Sequence, residues 1–234
     1  MALVNSMPNR NPSPRRPLGR PAARTEGETR EWLLAAATAL FAERGVAATT
    51  FTLIAQRAQV TPAVVHYYFH DRDALIDAVV RERIAPLIAS VWDPVHERES
   101  APDILRGVIE RLAAGIEHNP WVPSAWMREI LNENGLLRTR VLRYLPIEKV
   151  RLLSQAMQHG QKRGSVHADL DPVLIAFSTL GLVMVHMATA NFFAQIFSRP
   201  VPDRQLLVRH ITGVLLLGVE RSKSKGRRTA AGKR

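Results

Sequence analysis

Only two residues, Gln59 and Val60, separate a short helical pattern ending at Ala58 from another opening at Thr61, and this joint constrains the chain more than any other feature. Thr50 stands as an N-cap before Phe51–Ala58, in which Leu53, Ile54 and Ala58 share an inward side. Thr61 followed by Pro62 marks the second start, because proline at the first helical position gives up only an N–H that has no partner there. That helix is expected to run to about Phe69. A joint of two residues forces short helices to cross steeply, which is the helix-turn-helix arrangement.

Flanking signals complete a small helical domain. Thr25-Glu26-Gly27-Glu28 has the spacing of a capping box, and Leu33, Ala36, Ala37, Leu40 and Phe41 follow as one apolar stripe that Gly45 ends. Asp71 caps a fourth pattern carrying Ala74, Leu75, Ala78 and Val79. Further helices are expected over about 72–92, 101–118, 121–133, 138–163, 171–197 and 203–221, with joints at Asn119-Pro120, Asn134-Gly135 and Arg199-Pro200. Pro86 falls inside the first of these and should kink or break it. The expected class is all-α, with a helix-turn-helix domain over 25–80 and a second helical domain over 81–220.

The chain has 234 residues and no cysteine, which excludes a disulfide framework, thiol catalysis and thiolate-bound zinc. Its net charge of +11 is uneven. Residues 1–24 hold five Arg and residues 221–234 seven Lys or Arg, neither with an acid, so the stretch between carries 20 basic against 21 acidic residues. Both ends read as disordered basic segments suited to a polyanion. Met1–Arg24 has no apolar run of signal-peptide length, so a cytoplasmic location is expected.

The second helix of a helix-turn-helix lies in the DNA major groove, while flanking groups hold phosphates. Here it reads Thr61-Pro62-Ala63-Val64-Val65-His66-Tyr67-Tyr68-Phe69, with Val65 and Phe69 directed inward beside Val60. The rest is left for contact. Hydroxyl and imidazole donors suit phosphate oxygens, and Ala63 and Val64 suit a thymine methyl.

Leu33 through Gly45, then Thr50, Ile54-Ala55, Val60-Thr61, His66-Tyr67-Tyr68-Phe69 and Arg72-Asp73-Ala74-Leu75, resemble the N-terminal domain of the TetR (tetracycline-repressor) family of bacterial transcriptional regulators, over about residues 28–80. The resemblance implies a homodimer whose last two helices form the interface, and a ligand-binding domain whose small-molecule effector releases a double-stranded DNA operator. Gln59 stands where the family usually has Gly, so a left-handed turn there costs on the order of 1 kcal/mol. His66 and Tyr68 exchange the family's usual residue types, Arg72 replaces its usual Lys, and Pro62 and Ala63 replace its usual small polar pair.

The expected DNA-binding residues are Thr50, Thr61, Tyr67, Tyr68 and Arg72 for phosphates, Ala63, Val64 and His66 nearest the bases, and Arg20 and Arg24 in the arm. The arm's Leu18-Gly19-Arg20-Pro21 is suited to a minor groove, and it offsets a deficit, since residues 25–80 carry four Arg against seven acids. Trp92, Trp121, Trp126, Met127, Met157, Phe177, Met184 and His186 are the candidates for contact with an apolar or amphipathic effector, although plain core positions use the same residue types.

No cofactor or metal is expected. His66 and His70 have helical ligand spacing, but a helix ending at Phe69 separates them. Phosphate-loop, dinucleotide, serine-elbow and zinc-protease motifs do not occur, which argues against an enzyme. Residues 172–198 contain no Asp, Glu, Lys or Arg and are long enough to cross a bilayer. Their polar residues and the Asp171-Pro172 start favour burial against protein, so no membrane partner is expected. A ligand-independent DNA-organising protein is the alternative, and it predicts a steep salt dependence with little sequence discrimination.

Overall fold

The computed structural model describes residues 25–219, and the basic arm with Arg20 and Arg24 and the C-terminal basic tail lie outside them. Among the described residues the regular structure is helical throughout. Helix α1 (Glu26–Arg44) opens on the expected capping box: Glu28 N–H donates to the Thr25 hydroxyl at 3.3 Å, and Thr25 N–H donates back to the Glu28 carboxylate at 2.8 Å. It stops at Gly45, whose φ of 83° ordinary residues rarely adopt.

Helix α2 (Phe51–Ala58) is capped by the Thr50 hydroxyl, and α3 (Pro62–Tyr68) begins at Thr61 with Pro62 in its first turn. The joint is as tight as expected, and Gln59 takes the left-handed conformation at φ 57°, ψ 43°. Helix α4 (Arg72–Val79) starts from Asp71, whose carboxylate accepts the Ala74 N–H at 2.7 Å.

Between α4 and α5 (Ala85–Trp92) the chain makes a π-helical turn over Val80–Ile84, in which Ala85 N–H reaches back five residues to the Val80 carbonyl. Pro86 explains it, since it has no N–H for the Glu82 carbonyl and its ring crowds that group. The expected break is a widened turn. Helix α6 (Ala101–His118) lies where the sequence places it.

Two other expectations need correction. The helix foreseen over 121–133 is the short α7 (Val122–Ala125) continued by a second π-helical turn, Trp126–Ile130. The helix foreseen over 138–163 is two, α8 (Arg138–Leu142) and α9 (Ile147–Lys162), parted where Pro146 keeps Leu145 out of the helical region. Helices α10 (Pro172–Ile196) and α11 (Arg204–Val219) end the described chain.

Two apolar clusters hold these helices. The first joins Leu33, Phe41, Ile54, Val65, Phe69 and Leu75 from α1–α4 to Leu137 and Val141, so the stretch leading into α8 packs among the helices around the helix-turn-helix. The second is built around α6, whose Ile104, Leu105 and Ile109 meet Leu153 and Met157 of α9, Val183 of α10 and Ile211 of α11. Helix α10 is long and apolar enough to cross a membrane, but one side is packed on its own chain, at Ile175, Thr179, Val183 and Met184. Its other side bares Leu174, Phe177, Val185 and Phe192.

Candidate nucleic-acid interface

Helix α3 is fixed from beneath and bare above. Val65 and Phe69 are buried, the latter under the Arg30 guanidinium, which lies 5.4 Å from its ring centre. Thr61, Ala63, His66 and Tyr67 are exposed, and Val64 and Tyr68 are half-buried. No Asp or Glu lies on this helix, so its outward face does not itself oppose a phosphate backbone.

Each expected contact residue has a definite setting. Thr50 spends its hydroxyl on the Leu53 N–H, whereas the Thr61 side chain makes no capping bond. The His66 ring meets Phe51 edge-on at 4.6 Å. Tyr67 is 74% exposed, and its hydroxyl donates to a Glu26 carboxylate oxygen at 3.1 Å while Tyr68 donates to the Glu26 carbonyl at 3.0 Å. The hydrogen bond to Glu26 raises the Tyr67 phenol above its ordinary value. His66 sits in the last turn of α3 and His70 beyond its end, so the two do not share a helical face.

Arg72 donates to the Val46 carbonyl, and its other donors remain for a phosphate. Sequence reasoning missed the partner on the other side of that same residue. Glu129, in the second π-helical turn, is 6% exposed, accepts the Val46 N–H at 2.7 Å and also takes the Leu136 N–H at 3.0 Å. Val46 is thus gripped by α4 at its carbonyl and by the turn after α7 at its amide. Arg140 of α8 adds a second tie, at 2.6 Å to both Asp73 and Asp77 of α4. The basic run 138–151 is accordingly divided among separate partners, with Lys149 on the carbonyls of Asp93 and Val95 and Arg151 on Glu148.

Two ion pairs tie α1 to the first π-helical turn. Arg30 pairs with Glu82 through bonds of 2.5 and 2.7 Å, and Arg83 pairs with Glu31. The Arg30 hydrogen bonds hold the Glu82 carboxyl at about 2. The helix-turn-helix is therefore joined to the helices that follow it by apolar contacts, the Glu129 grip on the Val46 amide and three groups of ion pairs.

The expected effector contacts separate into two groups. Trp92, Trp121, Trp126, Met157 and Met184 join the second apolar cluster. Met127 and Phe177, 47% and 65% exposed, do not. His186 Nδ1 lies 2.7 Å from the Leu182 carbonyl of its own helix, with its ring 5.7 Å from that of His210. None of the eight lines the 440 Å³ hollow between α5 and α6.

Residues 33–79 match the N-terminal model of the bacterial regulatory proteins of the tetR family. Among curated relatives, the transcriptional regulator UidR of Escherichia coli K12 is 22% identical over 80% of this chain and 93% of its own length. The transcriptional repressor KstR2 of Rhodococcus jostii is 26% identical over 68% of this chain and 79% of its own. The solved structure of the ketosteroid transcriptional regulator KstR2 of Mycobacterium tuberculosis shares the fold, with a TM-score of 0.64 and 21% identity over 86% of this chain and all of that one. Fold, helix-turn-helix and relatives agree: residues 33–79 form a helix-turn-helix domain of the kind found in the bacterial regulatory proteins of the tetR family, and the chain as a whole is similar to transcriptional regulators of that kind.

Proposed function

We propose that the chain is a homodimeric repressor that holds a pseudo-palindromic operator and is released from it by a small apolar or amphipathic effector. The observation that carries this reading is α3, seated by Val65 and Phe69 and presenting Thr61, Ala63, His66 and Tyr67 outward. On DNA, Thr50, Thr61, Tyr67, Tyr68 and Arg72 hold phosphates, and Ala63, Val64 and His66 lie nearest the bases. Arg20 and Arg24 of the arm follow an adjacent minor groove.

The bare side of α10 supports the dimer. Leu174, Phe177, Val185 and Phe192 recur there at helical spacing, with Val214 and Leu217 exposed on α11. A second copy applied to this surface makes a four-helix interface, and a two-fold symmetric operator then asks for two copies of α3 about 34–36 Å apart, one turn of DNA, or a multiple of that. The grips on Val46 and the ties to Asp73 and Asp77 support the coupling, because a shift of α7 or α8 must be felt by α1 and α4.

Selection of full-length protein on randomised duplexes at two salt concentrations tests this reading. The expected product is a two-fold symmetric sequence with half-sites about one turn apart. Equal recovery of all sequences with a steep salt slope would instead identify a DNA-organising protein.

A further inference from the structure

Two arginines at the hollow between α5 and α6 lack part of their hydrogen bonding. Arg83 Nε and Arg111 Nη2 are enclosed and have no partner. Arg83 otherwise serves Glu31, and Arg111 otherwise donates through Nε to the Val91 carbonyl at 2.7 Å. Both line the hollow together with His118 and Asn119, and no Asp or Glu does. Neither of these two nitrogens reaches the surface of the hollow, so a ligand seated there meets the other donors of the two guanidiniums.

Apart from Ser90 at its rim, the rest of the hollow is apolar, at Pro86, Leu87 and Ala114, and its 440 Å³ opens broadly to solvent. Helices α5 and α6 pack closely at its floor, since a Cβ on Gly115 would stand 2.3 Å from Leu87. We propose that this hollow seats the oxyanion head of a small amphipathic ligand, with Arg111 and Arg83 as its cationic partners and the ligand's apolar part against Pro86 and Leu87. The inference rests on the effector-responsive reading and gives that effector a charge and a place.

Its position supplies a route to the helix-turn-helix. Arg83 belongs to the π-helical turn before Pro86, and its other end holds Glu31 of α1. An anion in the hollow competes with Glu31 for this one guanidinium, so occupancy loosens one of the ties that set the angle of α1 on α5. Ligand and DNA then oppose each other through a shared group.

The test titrates full-length protein with octanoate, octyl phosphate and octanol, which share an apolar chain and differ in the head. Binding is read by calorimetry on wild type, Arg111→Met and Ser90→Trp; the last keeps both guanidiniums and fills the hollow from its rim, in case Arg111→Met fails to fold. Wild type is expected to bind at least one of the two anions tenfold or more tightly than octanol, and both variants to lose at least tenfold for that anion. Octanoate alone would identify a carboxylate head, and octyl phosphate alone a phosphate. Equal binding of octanol, no binding of either anion, or unchanged binding by Ser90→Trp would overturn the site.

The same proteins on the selected operator separate this inference from the reading beneath it. An anion that binds in the hollow yet leaves DNA affinity unchanged keeps the site and removes its regulatory role. Release of DNA from wild type and Arg111→Met alike by neutral apolar compounds keeps the effector reading and removes the anion site.

Discussion

Replacing Glu129 by Gln should loosen the grip on Val46 by an amount that can be worked out in advance. The carboxylate accepts two backbone N–H groups, from Val46 at 2.7 Å and Leu136 at 3.0 Å, in a place almost closed to water. Gln keeps one carbonyl acceptor but turns an N–H₂ donor toward the other amide. One charge-assisted bond is lost and a buried donor is stranded, which costs about 2 kcal/mol; Glu129→Ala strands both donors and costs about 4 kcal/mol. For a chain of this size, 2 kcal/mol is about 6 °C in melting temperature. Urea unfolding at fixed protomer concentration, followed by circular dichroism and tryptophan fluorescence, measures it, with the exposed Glu133→Gln as a control expected within about 0.5 kcal/mol. An independent route is Gly45→Ala, whose Cβ would stand 2.9 Å from Glu129 Oε1 at a residue with φ of 83°. If Glu129→Gln unfolds with its control, the carboxylate does not join the two parts of the chain.

Gln59→Gly relieves a left-handed side-chain residue and should stabilise by about 0.5–1 kcal/mol, read from the urea midpoint, with DNA affinity unchanged. Glu82 lies below its ordinary value, so its contribution is full above about pH 5 and is lost as pH falls toward 2. With both side chains of the pair about one-third exposed, screening reduces that contribution to about 1 kcal/mol, and Glu82→Gln should flatten this part of the acid-unfolding profile. Glu26→Gln removes a negative charge beside Tyr67, so DNA binding should strengthen two- to fivefold at low salt by about 0.5–1 kcal/mol, and spectrophotometric titration should show the Tyr67 phenol returning toward its ordinary value. Pro86→Ala should let the π-helical turn relax to an α-helix and change the ratio of DNA affinities with and without effector; an unchanged ratio would remove the turn from the coupling.

The helix-turn-helix was legible because its signals are local. Thr25 with Glu28, Thr50, Thr61-Pro62 and Asp71 each mark a helix start by side-chain chemistry, and Val65 and Phe69 mark an inward face by spacing. Pro146 carried a break of the same local kind that the surrounding helical period outweighed. Glu129 was not legible, since an acid between Arg128 and Ile130 looks solvated until the fold brings the Val46 amide to it. Uniform apolarity hid the orientation of α10, where Phe177 faces outward and Met184 inward. The hollow was hidden for a further reason, because Arg83 and Arg111 lie far apart in the chain and meet only through the packing of α5 on α6.

The central claim is that α3, and not the basic ends alone, selects DNA. Footprinting of the full chain on fragments surrounding its own gene, with competitor DNA and at two salt concentrations, compares wild type with Tyr67→Ala. The account predicts a protected palindrome that Tyr67→Ala abolishes. Unselective, salt-sensitive binding that survives the substitution would contradict it.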